Sequence, residues 1–136
     1  MSPRRLCILG ATGSVGQAAL EVIQKRPDDF SIVALAAGSD DKKLAKLCRL
    51  HKPAYAALYD KGAAQRLKRE LVNEETVVGG GQESLLEAAT HPDCCTVIAA
   101  IAGGGGAAAT LAAAKAAKRI LLANKEALIL CGQSLI

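Results

Sequence analysis

With 136 residues, the chain has the length of one domain built around one core. Hydrophobic residues make up 51% of it, yet the apolar content is Ala, Leu, Ile and Val, and the aromatics are Phe30, Tyr55 and Tyr59; such small aliphatics suit helices packed closely on a sheet. The formal charge of +4 is spread along the chain, and there is almost no aromatic surface on which bases could stack, so nucleic acid is not expected as a partner.

Six short apolar runs alternate with amphipathic stretches. The first, Leu6 to Leu9, follows Met-Ser-Pro-Arg-Arg and meets Gly10 after four residues, too short for a signal-peptide core or a membrane span. A soluble, cytoplasmic protein with no membrane partner is expected. The next segment carries Val15, Ala18, Ala19, Val22 and Ile23 at helical spacing, which predicts a helix with one stripe against a sheet. A second strand, Ser31 to Ala37, precedes a helix that sets Leu44, Leu47 and Cys48 against a solvated face of Lys42, Lys43, Lys46 and Arg49. Further runs cover Ala54 to Leu58, Thr76 to Val78, Thr96 to Ile101 and Ile120 to Ala123. All four prolines, Pro3, Pro27, Pro53 and Pro92, fall between these elements, as residues without an amide donor should. The pattern is βα repeated about six times, and continuous rather than alternating apolar strands imply cover on both faces. The expected fold is a Rossmann-type, doubly wound parallel α/β sheet forming a single domain over residues 1–136.

The first strand runs into Gly10-Ala-Thr-Gly13-Ser-Val-Gly16, and a helix begins at once. One glycine for the turn, one where the backbone approaches a pyrophosphate and one where helix packs on strand would leave free amides at a helix N-terminus. One extra residue separates the first two glycines relative to the common dinucleotide pattern. A mononucleotide P-loop would need Lys after the last glycine, and Gln17 stands there.

Choice between the two nicotinamide cofactors is usually made at the end of the second strand, here Gly38-Ser39-Asp40-Asp41-Lys42-Lys43. Gly38, Ser39 and the lysines favour a 2′-phosphate, whereas Asp40 and Asp41 oppose it. Asp40 also fits as the N-cap of the following helix, with Asp41 in its first turn. The balance leans slightly towards NADP. After the fifth strand come Gly103 to Gly106, which read equally as a close-approach loop for a ligand or as a turn into an alanine helix. The sixth strand ends in Asn124-Lys125-Glu126. Asn124 and Glu126 suit a helix start. Lys125 opposes the helix dipole there, which suggests a waiting anion, although a lysine extending into water fits too.

Cys7, Cys48, Cys94, Cys95 and Cys131 form an odd set without a CxxC pair, as expected of reduced thiols. His51 and His91 are isolated and expected at the surface. No Tyr-x-x-x-Lys pair of the short-chain dehydrogenase kind is present.

With these residues in hand, the sequence resembles the N-terminal domain of 1-deoxy-D-xylulose 5-phosphate reductoisomerases over its whole length. The resemblance is carried by Leu9 to Gln17, Val33 to Gly38, Ala99 to Gly103 and above all Leu121-Leu-Ala-Asn-Lys-Glu-Ala127. It implies NADPH contacts at Thr12, Gly13, Ser14, Val15, Gly38, Ser39, Asp40, Asn124 and Glu126, with Lys125 reaching the sugar-phosphate substrate. Ser39 and Asp40 depart from the basic or amide residues usual after that glycine. The family's Mg²⁺ or Mn²⁺ ligands lie in an Asp-Ser-Glu-His segment beyond the helix that starts at Asn124, so no catalytic or metal residue is assigned to this chain. It is therefore expected to behave as an excised cofactor domain, inactive alone, of an enzyme that works as a homodimer in non-mevalonate isoprenoid biosynthesis. That enzyme converts 1-deoxy-D-xylulose 5-phosphate to 2-C-methyl-D-erythritol 4-phosphate. The alternatives are a freestanding NAD(P)-binding regulatory module, or the cofactor domain of a semialdehyde dehydrogenase, which would need a nucleophilic cysteine.

Overall fold

A computed structural model describes residues 3–100 and 105–123. Among them strands and helices alternate throughout: β1 (Arg4–Leu9), α1 (Ser14–Gln24), β2 (Phe30–Ala37), α2 (Asp41–His51), β3 (Tyr55–Leu58), α3 (Lys61–Glu70), β4 (Val77–Gly80), α4 (Gln82–Ala89), β5 (Thr96–Ala99), α5 (Gly105–Lys115) and β6 (Arg119–Leu122). The strands pair in the order β4-β3-β2-β1-β5-β6, and every pairing is parallel.

Successive strand residues feed two separate cores, because side chains alternate across a sheet. Leu6, Ile8, Leu35, Ala37, Ala56 and Leu58 pack with Ala19, Leu20 and Ile23 of α1, Leu44 and Cys48 of α2, and Leu67 of α3. Cys7, Leu9, Ala34, Ala36, Ala57 and Val97 pack on the other face with Leu85, Ala88 and Ala89 of α4 and Ala109 and Ala113 of α5. Alanine dominates this second face, so α4 and α5 sit close to the sheet and the scarcity of large aromatics is explained. The helices cover one face while the chain steps from β1 out to β4, and the other while it returns to β5 and β6. That arrangement is the doubly wound fold, with the order of strands reversing between β1 and β5.

Several local differences from the sequence reading have physical causes. The inward stripe of α1 is Gly16, Ala19, Leu20 and Ile23, rotated from the Val15, Ala18, Val22 side; a glycine that must face the turn carries no apolar side chain to reveal this. β4 continues through Gly79 and Gly80, where a Cβ would lie 2.8 Å from the Ser84 Cβ and 2.7 Å from the Ala64 Cβ respectively, so neighbouring side chains fill the space that larger residues would need. Of the glycine quartet, Gly105 and Gly106 open α5 rather than preceding it; Gly103 and Gly104 lie outside the described residues. The fifth strand ends at Ala99, short of the expected Ile101. His51 and His91 are half-buried rather than fully at the surface.

Candidate nucleotide-binding site

The turn between β1 and α1 is built from backbone. Gly10 has φ +88°, a left-handed conformation that a side chain disfavours. Its amide and that of Ala11 both donate to the Ala36 carbonyl of β2, at 2.8 and 2.9 Å. The Gly13 amide donates back to the Gly10 carbonyl at 3.2 Å, and Gln17 Nε2 donates to the Thr12 carbonyl at 2.8 Å. At Gly16 a Cβ would stand 2.8 Å from the Gly10 carbonyl carbon and 3.0 Å from the Ala11 Cα. Helix and turn therefore meet backbone to backbone. Gln17 is a supporting residue that sequence reasoning missed, since nothing in the spacing announces a side chain folding back onto the turn.

The start of α1 is left open. Its N-cap is Gly13, in extended conformation, with no side-chain cap and no acidic residue in the first turn. The Gln17 amide donates to the Gly13 carbonyl at 2.9 Å as the first helical bond, so the preceding amides of Ser14, Val15 and Gly16 have no acceptor within the helix. Three aligned donors at the positive end of a helix dipole form a site for an anion. Gly13 and Ser14 are exposed, while Thr12 and Val15 are half-buried. Four of the expected contact residues thus share one turn at the carboxyl edge of the sheet.

Gly38, Ser39 and Asp40 are exposed at the end of β2, directly beside that turn because β1 and β2 are paired. A Cβ at Gly38 would meet nothing within 4 Å, so the space there is open. The Asp40 carboxylate accepts from the Lys43 amide at 3.1 Å and caps α2. Asp41 is buried and pairs with Arg66 Nε of α3 at 3.4 Å. Both acids are thus engaged in holding helices, which weakens the objection they raised to a 2′-phosphate.

Asn124, Lys125 and Glu126 lie outside the described residues. Ala123, immediately before them, donates its amide to the Ala99 carbonyl at 3.0 Å, which extends the β5–β6 pairing to the carboxyl edge.

Cys7, Cys48 and Cys94 are buried free thiols, and Cys95 is an exposed one. Burial pushes the Cys7 thiol well above its ordinary range and the Cys48 thiol up to about 12, so neither is a nucleophile. Cys95 precedes β5, with its amide on the Arg5 carbonyl at 3.0 Å, at the amino edge away from the glycine turn. No thiol among the described residues is thus placed for the semialdehyde dehydrogenase alternative. Among the same residues no group of three or more His, Cys, Asp or Glu could hold a metal, and no helix is long and apolar enough to cross a membrane.

A parallel sheet whose strand order reverses beside an uncapped, glycine-lined helix start defines a Rossmann-type dinucleotide-binding domain. The family model for 1-deoxy-D-xylulose 5-phosphate reductoisomerase matches residues 6–132, and the chain belongs to that family. It is 47% identical over 135 residues to the reductoisomerase of Photobacterium profundum, covering 98% of this chain and 34% of that protein. It is 45% identical over 130 residues to that of Methylobacillus flagellatus, covering 96% and 33%. Among solved structures, the Zymomonas mobilis reductoisomerase in complex with NADPH superposes with a TM-score of 0.85 at 34% identity, over 99% of this chain and 35% of that one. A reductoisomerase in complex with NADPH, fosmidomycin and magnesium gives 0.84 at 38% identity, over 97% and 33%. The chain spans about a third of the length of the relatives it matches.

Proposed function

We propose that residues 1–136 are the cofactor domain of an NADPH-dependent 1-deoxy-D-xylulose 5-phosphate reductoisomerase. The observation that carries this reading is the open start of α1, where the Ser14, Val15 and Gly16 amides lack helical acceptors beside a turn too tight for a side chain at Gly16. Thr12, Gly13, Ser14 and Val15 hold the pyrophosphate. Gly38, Ser39 and Asp40 flank the adenosine ribose and its 2′-phosphate, with Lys42 and Lys43 adding positive charge. Asn124 and Glu126 contact the nicotinamide half, and Lys125 binds the phosphate of the sugar substrate. The NADPH complexes of the structural relatives support the choice of cofactor.

When bound, NADPH supplies the hydride that reduces the aldehyde formed by isomerisation of the substrate. The protein's share in that step is to fix the dinucleotide along the strand ends, so that geometry rather than chance sets the approach of hydride to carbonyl carbon. The whole enzyme is read as a soluble, cytoplasmic homodimer using Mg²⁺ or Mn²⁺, whose ligands are placed outside this chain; the described residues hold no group of three or more His, Cys, Asp or Glu that could bind it.

Calorimetric titration of the 136-residue chain with NADPH and NADH, paired with a cofactor-oxidation assay containing substrate and Mg²⁺, tests the reading. NADPH is expected to bind more tightly, with the gap narrowing at high salt as the Lys42 and Lys43 attraction is screened, and no turnover is expected. Preference for NADH would overturn the cofactor assignment, and turnover would overturn the division of labour.

A further inference from the structure

We propose that Tyr59 is the platform on which the adenine ring of the dinucleotide stacks, an inference that rests on the cofactor reading above and adds a base-binding residue to it. The chain has three aromatic residues. Phe30 and Tyr55 are buried, whereas Tyr59 is 52% exposed. Among the described residues its hydroxyl has no hydrogen-bond partner. Scattered exposed aromatics are ordinary on a protein surface; the placement of this one is not.

Tyr59 follows Leu58, whose partner across the sheet is Ala37, and therefore stands beside Gly38. Its amide donates to the Ala37 carbonyl at 3.0 Å, and the Asp60 amide donates to the Gly38 carbonyl at 2.9 Å. Asp60 in turn caps α3 through the Ala63 amide at 3.1 Å, so the backbone carrying the ring is fixed on both sides. The space next to Gly38 is open, with nothing within 4 Å of where a Cβ would be.

Neighbouring strands lie about 4.8 Å apart, and β1, β2 and β3 are consecutive in the sheet. A dinucleotide with its pyrophosphate at the β1 turn and its ribose at the end of β2 carries its base on to the end of β3, one further strand spacing away. Tyr59, the first residue after β3, is the exposed aromatic at that strand end. A flat, exposed ring offers a π face to any purine, and it needs no hydrogen-bond readout to do so.

Calorimetric titration with 2′,5′-ADP, which carries the adenine, ribose and 2′-phosphate without the nicotinamide, isolates this contact. Tyr59→Ala is expected to weaken 2′,5′-ADP and NADPH by roughly tenfold, and Tyr59→Phe to recover the affinity because the ring and not the hydroxyl is used. The chain has no Trp, so tyrosine emission is readable and is expected to be quenched by 2′,5′-ADP in the unsubstituted protein but not in Tyr59→Phe. Unchanged affinity in Tyr59→Ala, with the unsubstituted protein binding normally, overturns the stacking and leaves the cofactor reading intact. If the unsubstituted protein binds neither 2′,5′-ADP nor NADPH, the cofactor reading fails and the stacking falls with it.

Discussion

At the start of α2 the Asp40 carboxylate accepts the Lys43 amide, and at the start of α3 Asp60 does the same for Ala63, each at 3.1 Å. At the start of α1, on the neighbouring strand end, the capping position is Gly13 and no side chain closes the helix. A carboxylate cap satisfies one orphan amide and offsets the dipole, stabilising a helix by about 1 kcal/mol. Forgoing it at the β1 turn keeps those donors for something that arrives from solution. The contrast teaches that α2 and α3 start on carboxylates of the chain itself and that α4, capped by Gly81 without a side chain, still has Glu83 in its first turn, whereas α1 has neither and is left to be completed by an anion.

The largest blow to this contrast should come from Gly16→Ala. The added methyl would meet the Gly10 carbonyl, which belongs to backbone and has little freedom to retreat. A loss of about 3 kcal/mol is expected, read as a fall in Tm of about 10 °C, together with loss of NADPH binding. A variant of normal stability would show that the turn is slacker than its geometry indicates.

Gly13→Asp separates stability from binding. Gly13 has φ −78° and a Cβ there would make only an ordinary 3.6 Å contact with the Gly10 carbonyl oxygen, so a capping side chain fits. The apo-protein should gain up to about 1 kcal/mol by acquiring the cap its neighbours have. NADPH affinity should fall by about a hundredfold, since a carboxylate would occupy the pyrophosphate's place. Stability and affinity moving in the same direction would contradict the reading.

Lys125 extends the comparison to the end of β6 and to the whole enzyme. In the full-length protein Lys125→Ala should leave Tm unchanged or slightly higher and NADPH affinity nearly intact. Loss of a charge-assisted contact to the substrate phosphate, about 1.5–3 kcal/mol, should lower kcat/KM by on the order of tenfold to a hundredfold. Lys125→Arg should restore part of it. A lower Tm with normal kinetics would make the lysine structural.

The smallest effect is expected at Asp40. Asp40→Asn keeps a good N-cap and removes one negative charge near the ribose, so the NADPH to NADH affinity ratio should rise a few-fold with Tm unchanged. An unchanged ratio would reduce Asp40 to its capping role.

Much of this molecule is set by local chemistry that the sequence displays. Continuous apolar runs such as Leu6 to Leu9 and Val33 to Ala37 mark strands covered on both faces, and Gly10, Gly13 and Gly16 mark the turn, because period and turn chemistry are properties of neighbouring residues. The capping of α2 by Asp40 is of the same kind. Other features depend on residues distant in the chain. The rotation of α1 follows from Gly16 meeting the Gly10 carbonyl, a contact between backbones that no hydropathy pattern records. β4 enters two glycines because the Tyr55 ring and Ala64 occupy the space above them, and Asp41 is held by Arg66 from the next helix. Tyr59 alone in the sequence is one more aromatic in an alanine-rich run. Only the parallel pairing of β2 with β3 sets it beside the open space at Gly38, because strand order and register are fixed by packing across the sheet rather than by the residues on either side.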